Sequence, residues 1–224
     1  MRRYTVKISR ISIAVGQSTY LTSPVMIPFN EGQFFLFSSP HGEHSDSKIT
    51  IFPVKVDPHN LLVVDQLGEN LYPGDECELL GPFGRGFEIP AGRNKILLIS
   101  DSKNSALVLA FANLYSKPPN EAYLYHPELP NLSEQSTSYI TISENLLEEK
   151  LQWADICLIE TDHSIPSKLI ELLTPNDKKS TLKVQMLIRK SMPCHSFGNC
   201  GLCGVSLKGK KYLLCKDGPV LQNW

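Results

Sequence analysis

Four cysteines crowd the end of the 224-residue chain: Cys194, Cys200, Cys203 and Cys215, spaced C-x5-C-x2-C-x11-C. Four thiolates are the usual complement of a [2Fe–2S] cluster, and plant-type spacing runs C-x4-C-x2-C before a distant fourth cysteine. The first gap here is longer by one residue. Gly198, Gly201 and Gly204 punctuate the loop. Backbone N–H groups must turn in toward sulfur there, and glycine permits that close approach. Such N–H···S contacts stabilise the reduced, more negative cluster. The same cysteines admit a structural zinc site. Zinc sites more often pair two short knuckles, whereas Cys194 and Cys215 belong to none. His195 adjoins Cys194, but with four thiols available it is read as a solvated or outer group.

The other two cysteines, Cys77 and Cys157, sit alone in apolar strand-like contexts, CELL and DICLIE. They are expected to pack as small core hydrophobes. No export signal is expected, because charged and polar residues interrupt the opening stretch MRRYTVKISRISIAVG. The tail cluster therefore reads as a metal site before it reads as disulfides. No apolar run approaches the roughly 20 residues that a membrane helix needs. The 22 basic and 23 acidic residues give a net charge of −1, with no block of like charge. That balance argues against a nucleic-acid or membrane-surface partner, and the expected compartment is the cytoplasm. His41, His44 and His126 have no evident catalytic partner in the sequence and are read as surface residues. No general acid, base or nucleophile is expected.

These residues need elements to position them. The chain opens with short β-rich runs at 4–15, 20–27, 33–37, 48–56, 60–65 and 76–80, separated by turn residues such as Pro73-Gly74-Asp75. Six strands at this spacing predict a small antiparallel barrel. The segment Gly81-Pro82-Phe83-Gly84-Arg85-Gly86-Phe87 then forces tight turns and reads as the barrel exit. From Lys95 the pattern alternates. Strands are predicted at 95–100, 122–126, 139–142, 155–159 and 182–187, and helices at 104–115, 143–151 (with Ser143 as N-cap) and 164–173. Strands alternating with helices predict a parallel α/β sheet. The expected division is a barrel over 1–92, an α/β domain over 93–188 and a cluster module over 189–224.

Three segments resemble one family. They are Glu31-Gly32-Gln33-Phe34, the run 81–87, and the tail with Cys-x-Asp-Gly-Pro-Val at 215–220. The chain is similar to the iron–sulfur electron-transfer subunit of class B dihydroorotate dehydrogenase, within the ferredoxin–NADP reductase superfamily. The domain order matches over essentially the whole chain. The resemblance implies a flavin-binding barrel, a nucleotide-binding α/β domain and a C-terminal [2Fe–2S] module. It also implies a place in pyrimidine biosynthesis, on fold-level analogy alone.

The chain departs from that family in the cofactor contacts. The family meets its flavin pyrophosphate with an Arg on an Arg-Pro-x-Ser-like strand. Here the stretch is Ser47-Lys48-Ile49-Thr50-Ile51, where Thr50 keeps the hydroxyl and Lys48 supplies charge without a bidentate fork. Gly68-Glu69-Asn70 stands where the family has Gly-x-Gly-Thr. FAD therefore remains open, with Lys48, Thr50 and Gly68 as its contacts. The family's glycine-rich phosphate turn is replaced by Ser100-Asp101-Ser102-Lys103-Asn104-Ser105, and its Cys-Gly-Pro element by Glu160-Thr161-Asp162. No NAD(P)H site is expected. The leading expectation is an electron-transfer subunit, not catalytic alone, relaying electrons through its cluster to or from a partner flavoprotein. Two alternatives stay open: a working FAD/[2Fe–2S] subunit of an NAD-linked dihydroorotate dehydrogenase, and a non-redox interaction module built on zinc.

Overall fold

The computed structural model describes residues 2–12, 18–40, 48–64, 67, 71–100, 105–127, 139–162, 173, 182–192 and 200–222. The chain forms two compact units. One comprises Met1–Phe87 with Lys190–Val220, and the other Glu88–Arg189 with Leu221–Trp224.

The first unit opens with β1 (Arg2–Ser12), β2 (Ser18–Thr22), β3 (Phe34–Ser38), β4 (Ile49–Ile51), β5 (Val54–Lys55), β6 (Asn60–Val63) and β7 (Glu76–Phe83). In β1, Tyr4, Val6 and Ile8 are buried while Arg3, Thr5 and Lys7 face solvent. That alternation is the two-residue period of a half-buried strand. Buried side chains from β1, β3 and β7 meet Phe29 in one core, where the rings of Phe29 and Phe35 lie edge-to-face at 5.3 Å. The sheet runs β4-β3-β7-β1-β2-β6-β5. Its two outer strands, β4 and β5, are separated in sequence by Phe52-Pro53 alone. The sheet must therefore curl until its edges nearly meet, giving the expected antiparallel barrel-like sheet. It has seven strands rather than six because the run 48–56 divides. Pro53 has no N–H to donate, so β4 pairs with β3 and β5 with β6.

The second unit holds β8 (Lys95–Ser100), α1 (Ser105–Tyr115), β9 (Glu121–Tyr125), β10 (Ile140–Ile142), α2 (Leu147–Trp153), β11 (Ile156–Thr161) and β12 (Lys183–Ile188). The order β10-β9-β8-β11-β12 is parallel throughout. Every residue of β11, and all of β8 beyond Lys95, is buried. This continuous burial is what a parallel strand covered on both faces requires. The chain steps outward from β8 to β9 and β10 on one side, then to β11 and β12 on the other. The β8/β11 boundary is therefore the topological switch point of an open α/β sheet. Ser143 precedes a 3-10 turn, Glu144–Leu146, but does not cap it. Its hydroxyl donates to the Asn145 side chain, a local competitor for the backbone. Of the predicted helix 164–173, only Leu173 lies among the described residues, and it is helical.

The tail completes the first unit. It contains β13 (Gly204–Leu207), β14 (Lys210–Leu213) and a short α3 (Leu214–Asp217); the β15 strand that follows (Val220–Gln222) passes to the second unit at Leu221, as the sixth strand of its sheet beside β12. β13 and β14 form a two-stranded hairpin whose turn residues, Lys208 and Gly209, have φ of 46° and 77°. Two positive φ values give a hairpin turn the twist that its strands need. No helix among the described residues is long and apolar enough to cross a membrane.

The tail is tied to the barrel by backbone hydrogen bonds. Arg85 N–H donates to Gly218 O at 2.6 Å, and Val220 N–H donates to Arg85 O at 3.4 Å. On the other side of the same segment, Phe87 N–H donates to Glu31 O at 2.7 Å. The Gln33 side-chain amide donates to Gly84 O at 2.7 Å, and its carbonyl accepts Asn30 N–H at 2.8 Å. A Cβ on Gly84 would run into Gly218 O and Pro219 Cδ, at a φ of 71° that L side chains rarely adopt. Gly209 has a similar φ with nothing within 4 Å. Gly209→Ala should therefore cost about 1–2 kcal/mol from backbone strain alone. Gly84→Ala adds an overpacking cost of about 1–3 kcal/mol. Urea denaturation of the two variants checks this, and equal midpoints would contradict the packing described here.

Candidate functional site

Three of the four tail cysteines lie among the described residues; Cys194 does not. Cys203 and Cys215 are buried, and Cys200 is exposed. α3 brings the two buried cysteines together. Leu214 N–H donates to Cys203 O at 3.3 Å, and Cys215 N–H donates to Cys203 Sγ at 3.5 Å. Gly204 N–H donates to Gly201 O at 2.9 Å, closing the turn that carries Cys203. The α3 turn is held from within, since Leu213 N–H donates to the Asp217 carboxylate at 2.8 Å. The Cys203 sulfur, already accepting a backbone N–H from Cys215, suits a group that needs thiolates with N–H···S support. Among the described residues, no three His, Cys, Asp or Glu side chains come together as a metal-binding group.

The chain entering the cysteine loop is anchored as well. Met192 is fully buried, and its N–H donates to Thr50 Oγ1 at 2.9 Å. Lys190 Nζ donates to Gly204 O at 3.0 Å. Thr50, read in the sequence as a flavin contact, thus uses its hydroxyl to hold the strand ahead of Cys194. Lys48 is half-buried beside β4, and Gly68 lies outside the described residues.

Cys77 and Cys157 lie within strands, and both are buried. Burial, with a smaller contribution from the Asp75 carboxylate, pushes the Cys77 thiol up to about 11. Burial alone raises that of Cys157. Both stay protonated at neutral pH and so are poor metal ligands.

At the switch point of the second unit, Ser100 and Glu160 are register partners on β8 and β11. Ser100 Oγ donates to Glu160 Oε2 at 2.5 Å, and Arg189 Nε donates to Glu160 Oε1 at 2.6 Å. A second Arg189 nitrogen meets Asp162 Oδ1 at 2.5 Å. Ser100, Glu160 and Arg189 are all buried. The two sequence elements that depart from the family's nucleotide contacts are therefore joined in one network, with two carboxylates sharing one guanidinium. Sequence reasoning missed Arg189. The available signal was an arginine directly following the apolar strand KVQMLI. His126, expected at the surface, is buried just beyond β9. His41 and His44, and the residues 101–104, lie outside the described residues.

No family model matches the chain. It is 25% identical over 219 residues to the electron transfer subunit of dihydroorotate dehydrogenase B (NAD(+)) from Clostridium perfringens, covering 87% of this chain and 85% of that one. Among solved structures, it matches that of an NADH-dependent reduced ferredoxin–NADP oxidoreductase with a TM-score of 0.56. The identity is 16%, and the match covers 97% of this chain and 87% of that chain. Ferredoxin–NADP+ reductase from Plasmodium falciparum matches with a TM-score of 0.56 at 11% identity, covering 81% of this chain and 95% of that one. The chain is a distant homologue of the dihydroorotate dehydrogenase B subunit and has the ferredoxin–NADP reductase-like fold.

Arg189→Met would leave Glu160 buried without its counter-charge, at a cost of about 3–5 kcal/mol. Adding Glu160→Gln should recover part of that loss in urea denaturation. The buried thiols give an independent check. A thiol at about 11 is only about 0.1% thiolate at pH 8. In chelator-treated protein at that pH, iodoacetamide should modify Cys200 first and leave Cys77 and Cys157 unmodified until the chain is denatured, as peptide mass spectrometry would record.

Proposed function

We propose that the chain is an electron-transfer subunit that holds a [2Fe–2S] cluster on Cys194, Cys200, Cys203 and Cys215 and relays electrons to or from a partner oxidoreductase, a flavoprotein. The observation that carries this reading is the Cys203–Cys215 contact, with its N–H···S bond, in a distant homologue of an electron transfer subunit. A cluster of this type supplies one-electron exchange. The chain's own residues do the rest. Cys215 N–H lowers the cost of negative charge on Cys203 sulfur, and the β13–β14 hairpin and α3 fix the spacing of the two thiols. Thr50 and Lys190 hold the entering strand, and Arg85 holds the leaving one. Cys200, exposed on the same loop, puts the edge of the site at the surface, where a partner can approach closely.

The division into a flavin-domain-like barrel over 1–92, a nucleotide-domain-like segment over 93–188 and a cluster-bearing tail over 189–224 belongs to this proposal, as does a cytoplasmic location. So does loss of the NAD(P)H site. At the switch point a dinucleotide phosphate would meet the Glu160 and Asp162 carboxylates, where binding calls for N–H donors and positive charge. The fold favours a second reading, in which FAD is retained on the barrel at Lys48, Thr50 and Gly68. Thr50 would then have to serve both Met192 and the flavin phosphate.

The test is a visible absorption spectrum of anaerobically purified protein, with iron, sulfide, zinc and released flavin assayed on the same sample. Iron and sulfide without flavin are the expected result. Cys203→Ser should abolish the visible bands and the bound iron, whereas Cys77→Ser should leave both unchanged. Zinc without iron would overturn the proposal. Stoichiometric FAD beside the cluster, bleached by NADH, would establish a working reductase subunit instead.

A further inference from the structure

We propose that the surface around the cysteine loop docks a redox protein that presents carboxylates around an apolar contact; this rests on the relay reading above. Residues 190–220 carry Lys190, Lys208, Lys210, Lys211 and Lys216 against one carboxylate, Asp217, in a chain that overall has 22 basic and 23 acidic residues. All five lysines are exposed. Asp217 is turned toward its own backbone, where it accepts Leu213 N–H. On the barrel, by contrast, charges cancel across neighbouring strands, as in Arg3–Glu78 at 3.5 Å and Lys7–Glu76 at 3.2 Å. Among the described residues, neither Lys211 nor Lys216 has a carboxylate within ion-pair distance. Their charge is available to a carboxylate from outside.

The lysines share the tail with an exposed apolar residue. Leu202 is 63% exposed and lies between Cys200 and Cys203, with Cys200 and Gly201 exposed beside it. A single exposed leucine is ordinary. This one sits on the loop that carries the candidate ligands, and Lys190, Lys211 and Lys216 lie on the segments that contact that loop or extend from it. Lys190 Nζ is 3.0 Å from Gly204 O, and Gly204 is two residues beyond Leu202. Lys216 follows Cys215, whose N–H reaches Cys203 Sγ. Lys211 pairs with Ser206, which lies two residues, about 7 Å, along β13 from Gly204. These spacings are comparable to the Debye length of about 10 Å at 0.1 M salt, so an approaching acidic surface meets the lysines as one field. An apolar centre with a charged rim is the anatomy of a transient interface. Charge complementarity there acts mainly on the encounter rate and on the choice of partner.

The experiment uses cytochrome b5, an acidic haem protein, as the probe, and basic cytochrome c as its opposite. The purified protein is reduced with dithionite and mixed with the ferric haem protein. One electron passes from the protein to the haem, which becomes ferrous, and stopped-flow absorbance records the rate. With cytochrome b5 the second-order rate constant should fall at least about tenfold between low and high salt; with cytochrome c it should not fall. Lys211→Glu combined with Lys216→Glu should lower the low-salt rate to cytochrome b5 about tenfold, with the visible spectrum and the high-salt rate unchanged. Separately, carbodiimide coupling joins a lysine amine to a partner carboxylate with loss of water. Peptide mapping should place those links to cytochrome b5 at Lys190, Lys211 and Lys216. A salt-independent rate, or links concentrated on the barrel, would overturn the proposal. Protein that lacks iron and sulfide would instead remove the relay reading. The coupling arm needs no cluster and would still decide the docking surface.

Discussion

The structure of the first unit depends on one backbone junction. Arg85 sits between two chain segments, exchanging hydrogen bonds with Gly218 and Val220 while its neighbours Gly84 and Phe87 bond to Gln33 and Glu31. Three of these contacts bring main chain against main chain, and the fourth comes from the Gln33 side-chain amide. A Cβ on Gly86 would lie 2.6 Å from Asn30 Cβ, and one on Gly32 would lie 2.6 Å from Val220 Cγ2. Glycines from two segments are therefore needed at the same place for the same reason. The three motifs that suggested a family are one physical object. They fasten the cysteine-bearing tail to the barrel.

That fastening bears on the flavin question. The tail is held at both ends, by Arg85 after the cysteines and by Thr50 before them. The Thr50 hydroxyl, expected from the sequence to meet a flavin, accepts Met192 N–H. The tail thereby gains a fixed anchor on the barrel. A buried polar N–H left without Thr50 would also cost about 1–3 kcal/mol, so the contact stabilises the fold as well as the site.

The parallel sheet of the second unit carries a comparable substitution. Its switch point, the usual cofactor crevice of such sheets, holds a network drawn from three strand ends: Ser100, Glu160 and Asp162, and Arg189. The buried Glu160 carboxylate is paired with the guanidinium, which the partly exposed Asp162 shares. Loss of Arg189 would leave Glu160 as an uncompensated buried charge.

Much of this was legible in the residues. Alternation in β1, the continuous apolar runs of β8 and β11, and the turn residues between them follow from local periodicity, so the barrel-like sheet and the parallel sheet could be read in order. The spacing of the tail cysteines pointed to their chemistry, because the thiol set and the intervening glycines are local features. Other features depended on residues far apart in sequence. Nothing near Pro53 announced that β4 and β5 would pair at opposite edges of one sheet. Nothing near Thr50 announced a bond to Met192, 142 residues away. His126 looked like a surface residue because burial is set by what packs over a strand end. The sequence by itself determined the elements, the spacing of the four tail thiols and the absence of glycine from Ser100 to Ser105. Only the tertiary structure decided which partners Thr50, Ser100 and Glu160 take, because a buried charge or hydroxyl takes whichever partner the fold brings within hydrogen-bond reach.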